Sequence, residues 1–99
     1  MSTLHVLSHS PFTDTRLNSC LRLLGSADAI LLCGDATYAL SASTAPRQAL
    51  EARADNLLLF VLDEDAKARN LPLPEWATAV DYPRLVALSV QYDKVNTWL

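Results

Sequence analysis

Runs of apolar residues without polar alternation, interleaved with segments of helical spacing, mark this chain as a three-layer α/β/α protein with a mostly parallel sheet. Two runs carry that reading, Ala-Ile-Leu-Leu-Cys at 29–33 and Asn-Leu-Leu-Leu-Phe-Val-Leu at 56–62. A strand with one wet face would alternate, so these read as strands covered on both sides. Parallel strands need long crossovers, and helical pieces fill the gaps between the runs. The 99 residues suffice for one compact domain over 1–99 and are too few for two.

In order along the chain, Leu4, Val6 and Leu7 make a first strand at 3–7, which Ser8-His9-Ser10-Pro11 ends because proline suits a central ladder poorly. Leu17, Leu21 and Leu24 then share one side of a helix beginning near Thr13 or Asp14. Gly25-Ser26 releases it before the second strand at 29–33. Gly34 supplies a turn and Asp35 caps a short helix to Leu40; 41–45 loosens the chain, and Pro46 opens a further helical piece through Arg53. After the strand at 56–62, Asp63-Glu64-Asp65 places acids where a helix N-terminus favours them, and 66–69 is a short helix. Pro72 and Pro74 bar a long element there. A short strand at 78–80 and a helix at 82–91 follow, the helix with Leu85, Leu88 and Tyr92 at helical spacing, and Trp98-Leu99 is read as an apolar tail.

A hydrophobic fraction of 51% with only 19% charged residues is rich for so short a chain, which predicts that other subunits cover part of its surface. The net charge of -3, with basic residues distributed singly or in small groups, disfavours direct binding of nucleic acid. Two cysteines and two histidines, Cys20, Cys33, His5 and His9, have no disulfide or zinc spacing. Free thiols, no charged leader before an apolar core and no run of spanning length predict a cytoplasmic protein without a membrane partner. No metal or cofactor is expected, since a P-loop, a dinucleotide glycine fingerprint and a nucleophilic triad are all missing.

Candidate chemistry is sparse. Cys33-Gly34-Asp35 lies at the carboxyl edge of a predicted strand, where parallel sheets collect ligands. A helix N-terminus there would lower the thiol pKa and Asp35 would raise it, so Cys33 is either a site thiol or a strand-end packing residue. Cys20 stands at the flank of the Leu17–Leu24 stripe, facing either a subunit interface or the core, with Arg16 and Arg22 as possible thiolate partners. His9 is the better proton-transfer candidate of the two histidines, against a loop or interface hydrogen bond. The acids at 63–65 suit a cap and a solvated face better than magnesium. Trp98 reads as an interface anchor. Together these groups suit an auxiliary subunit better than an autonomous enzyme.

In order and spacing, Leu4-His5-Val6-Leu7-Ser8-His9-Ser10-Pro11, Leu21-Arg22-Leu23-Leu24, Asp28-Ala29-Ile30-Leu31-Leu32, the stretch from Val61 to Arg69, Val80-Asp81-Tyr82, Leu85-Val86-Ala87-Leu88-Ser89-Val90 and a terminal Trp98 resemble the TusB/DsrH family of sulfur-relay subunits over nearly the whole chain. The resemblance implies a small DsrE/DsrF-like α/β fold and a heterohexamer with TusC-like and TusD-like subunits. It implies indirect exchange with other sulfur-carrier proteins and, in the Tus branch, persulfide transfer toward 2-thiolation of the tRNA wobble uridine. There the TusD partner bears the principal sulfur-carrying cysteine, which leaves this chain structural or regulatory. In the DsrH branch, associated with sulfur oxidation, a first-helix cysteine is common, and Cys20 matches it. Its thiolate would attack the terminal sulfur of a partner persulfide, releasing the partner thiolate and forming a new persulfide. Cys33 matches no signature of the family, and Tyr92 stands where its pattern has histidine. A small-ligand-binding α/β module using the Cys33–Asp35 edge is the remaining alternative.

Overall fold

A computed structural model describes residues 2–98. Its centre is a five-stranded, wholly parallel sheet in the order β4-β3-β2-β1-β5, built from β1 (Thr3–Leu7), β2 (Ala29–Leu32), β3 (Leu58–Leu62), β4 (Ala77–Val80) and β5 (Lys94–Trp98). The helices are α1 (Arg16–Leu23), α2 (Ala45–Glu51), α3 (Asp63–Ala68) and α4 (Tyr82–Gln91), with a 3₁₀ helix at Gly34–Leu40. The α/β class and the parallel sheet are as the sequence predicts.

The connections divide the helices unequally between the faces. From β1 to β4 each strand lies beside its predecessor, and right-handed crossovers that advance in one direction put their helices on one face. Leu17, Cys20 and Leu21 of α1, Ala36, Ala39 and Leu40 of the 3₁₀ helix, Leu50 of α2 and Ala66 of α3 accordingly pack with Leu7, Ile30, Leu32, Leu59 and Val61 in one cluster. The last crossover runs back from β4 to pair β5 with β1 at the opposite edge, so α4 lies on the other face. There Leu88, with Leu85, packs on Leu4, Ala29, Leu31 and Val80. One ten-residue helix covers that face.

Several boundaries differ from the sequence reading. The first helix begins at Arg16 rather than near Thr13, because Ser10 holds Phe12 and Thr13 in a turn through its side chain and carbonyl, and the Asp14 carboxylate accepts the Arg16 N–H at 2.9 Å. The acids at 63–65 form the first turn of α3 rather than preceding it. Trp98 of the expected apolar tail is the last residue of strand β5, whose pairing runs from Thr3 with Lys94 to Leu7 with Trp98. Leu99 lies outside the described residues.

Asp81 caps α4 by accepting the Arg84 N–H at 2.9 Å, and Pro83 stands in its first turn. On the other edge, Asp93 accepts the Ser2 N–H at 2.9 Å, fixing the entry to β5 beside the start of β1.

Candidate functional site

The carboxyl edge of the sheet brings Cys33, Gly34 and Asp35 together, as the strand assignment requires. The Cys33 N–H extends the β1–β2 ladder by donating to the Leu7 carbonyl at 3.0 Å, and its Sγ approaches the same oxygen at 3.5 Å. Gly34 then turns the chain at φ 53°, and its N–H donates to Oδ2 of Asp65 at 2.6 Å. Arg69 closes the cluster. It binds Asp35 through Nη2 at 2.9 Å, donates from Nη1 to the Asp65 carbonyl at 3.1 Å, and lies 5.6 Å from the centre of the Tyr38 ring.

Each group in this cluster is therefore committed to another. Burial pushes the half-buried Cys33 thiol above its ordinary pKa, and the Asp65 charge adds to the rise. A thiolate is disfavoured here. What the sequence omitted is Arg69, which neutralises Asp35; a charged residue beyond the next strand gives no spacing signal.

Cys20 is fully buried, 0% exposed, in the cluster beneath α1. Counting it with the leucines gives Leu17, Cys20, Leu21 and Leu24, an i, i+3, i+4, i+7 stripe whose centre faces the core. The position at the flank of the stripe, expected from the leucines alone, is thereby corrected. Burial pushes this thiol up to about 12, and the charge of Asp28 adds to it. Neither arginine stands by to reverse that: Arg16 is paired with the Asp14 carboxylate, and Arg22 is exposed.

His9 is exposed in the turn after β1, 3.5 Å from the Ser8 hydroxyl through Nδ1. The more connected histidine is His5, which sequence reasoning passed over. It is 5% exposed, and its Nε2 lies 3.3 Å from Oδ2 of Asp28 while the Trp98 indole N–H donates to Nδ1 at 3.1 Å. Trp98 is thus half-buried and engaged within the chain. Burial raises the Asp28 carboxyl, but hydrogen bonds from the N–H groups of Gly25 and Thr3 and from His5 outweigh it and hold the group below its ordinary value.

The third candidate surface is the outer side of α4. Tyr82, Val86 and Val90 recur every four residues and are exposed by 51%, 59% and 79%. Strand alternation puts Leu58 and Val95, also exposed, on the same side of the sheet. Among the described residues no group of three or more His, Cys, Asp or Glu side chains is placed to hold a metal ion, and no helix is long and apolar enough to cross a membrane.

These features define a small parallel α/β protein with protonated thiols, a closed polar cluster at the sheet edge and an uncovered apolar helix face. The chain belongs to the DsrH-like family: the family model described as "DsrH like protein" matches residues 9–95. It is 37% identical to Protein TusB of Erwinia tasmaniensis over 97 residues, covering 96% of this chain and 99% of that one. Protein TusB of Yersinia enterocolitica is 34% identical over 98 residues, again with 96% and 99% covered. In fold, the chain is similar to the crystal structure of the ychN protein from E. coli, with a TM-score of 0.76 and 20% identity over 99% of this chain and 100% of that one.

Proposed function

We propose that this chain is the TusB-like subunit of a cytoplasmic sulfur-transfer assembly supporting 2-thiolation of the tRNA wobble uridine, and that its part is structural. The carrying observation is the outer face of α4, where Tyr82, Val86 and Val90 stand exposed. A contiguous apolar surface of this kind on a small soluble fold marks a protein interface, and TusC-like and TusD-like subunits of a heterohexamer are its occupants.

Cys20 bears on the division of labour. A relay thiol needs thiolate character and an approach path, and this sulfur sits in the core with its pKa pushed up to about 12. Sulfur therefore travels on a partner's cysteine, and this subunit shapes the assembly around it.

The test is reconstitution with TusC-like and TusD-like partners, followed by size-exclusion chromatography and measurement of 2-thiouridine formed on tRNA. Val86→Glu with Val90→Glu is expected to release this subunit from the assembly and abolish thiolation, whereas Cys20→Ser is expected to support both. Assembly that tolerates the two glutamates would refute the interface. Labelled persulfide sulfur on Cys20, lost together with flux in Cys20→Ser, would instead establish the DsrH-like relay role.

A further inference from the structure

His5 joins three parts of the chain that are far apart in sequence. It belongs to β1, Asp28 leads into β2, and Trp98 ends β5. An indole N–H only donates, so Nδ1 of His5 accepts from it at 3.1 Å. In the neutral ring the proton then sits on Nε2, facing Oδ2 of Asp28 at 3.3 Å. One ring thus has an acceptor on its Trp98 side and a donor on its Asp28 side.

We propose that His5 is a proton-operated latch on the C-terminal strand: a proton gained from solvent at Nδ1 turns the Trp98 contact into two opposed N–H groups, releases the indole and frays the end of β5. The bond to Asp28 persists, since Nε2 donates in both charge states and the pair becomes ionic on protonation. Release falls on Trp98 because of the place of its strand in the sheet. β5 is an edge strand paired only with β1, and four of its five residues are exposed.

The surroundings leave the charge change to His5. Asp28 is held below the ordinary carboxylate range by its hydrogen bonds and stays ionised across roughly pH 5 to 8, the interval in which histidines titrate. From α1 the nearby titratable group is the Cys20 thiol, and beyond α4 the Tyr92 phenol; burial followed by the Asp28 charge raises both, so both stay neutral. β5 adds Lys94, exposed and in register with Thr3. β2 beside His5 is wholly apolar. His9 is exposed in the turn after β1.

The test uses the full chain labelled with 15N, with Trp76→Phe identifying the Trp98 indole signal, and compares exchange protection at pH 8 and pH 5 after correction for the intrinsic rates. Protection of the Trp98 indole and amide N–H groups is expected to fall about tenfold on acidification, the loss of one hydrogen bond, while His9→Gln leaves that response intact and His5→Gln removes it. Equal protection at the two pH values, or a response that survives His5→Gln, overturns the latch. Should His5→Gln not fold, the ring nitrogens of the wild-type chain decide: at pH 8 a proton on Nε2 and a bare Nδ1 are expected, and a proton on Nδ1 overturns the proposal.

Discussion

The N–H of Gly34 donates to Oδ2 of Asp65 at 2.6 Å, tying the turn after β2 to the first turn of α3 across 31 residues. The bond depends on a backbone that turns left-handed at φ 53°, and a Cβ at this position would stand 3.2 Å from the Ser8 carbonyl oxygen. Gly34→Ala therefore meets conformational strain and a crowded backbone neighbour together. It is expected to destabilise the fold by about 1–3 kcal/mol, read as a lower urea midpoint with unchanged slope.

Cysteine accessibility follows burial order. Cys20 is expected to react with a thiol reagent only on global unfolding, and Cys33, half-buried beside Asp65, slowly from the folded state. Intact-mass kinetics at pH 8, with Cys33→Ser isolating the core thiol, checks the order. Rapid modification of Cys20 in the folded chain would contradict its placement beneath α1.

Asp28 predicts the acid limb of stability. Its folded-state pKa is depressed, so its contribution is complete above the unfolded value of about 3.9 and is lost as pH falls through the lower folded value. Asp28→Asn keeps one acceptor and forfeits the charge. It should cost about 1–2 kcal/mol near neutrality and flatten the decline on acidification, both measurable by urea unfolding between pH 3 and pH 7.

The cap of α4 has an outsized role because this helix alone covers its face. Asp81→Ala removes the acceptor for the Arg84 N–H and is expected to cost about 1 kcal/mol. Amide exchange in α4 and on the β2 residues beneath it should accelerate together, while α1 and α2 keep their protection. A loss confined to the first turn of α4 would show that the face is held by packing alone.

The free chain should also self-associate through that face until a partner covers it. Val86→Glu with Val90→Glu is expected to raise the soluble monomer fraction with a melting temperature near that of the parent chain, because both side chains are largely exposed. Sedimentation velocity across a concentration series measures the effect.

Sequence alone determined the strand at 3–7, those read at 29–33 and 56–62 and observed at 29–32 and 58–62, the helical crossovers between them and hence the parallel α/β class, since strands covered on both faces are apolar at most positions and that signal is local. It also placed Cys33, Gly34 and Asp35 at the carboxyl edge, because a strand's direction fixes which loop follows it. Tertiary structure decided the rest. Strand β5 is Lys-Val-Asn-Thr-Trp, too polar to show the apolar run of a strand, and exists as a strand because β1 offers an open edge. Arg69 neutralises Asp35 and Trp98 binds His5 through contacts between residues far apart in the chain. The lopsided layering arises only when the chain turns back from β4 to β1, sending α4 alone to the second face, and no local pattern of side chains encodes that return.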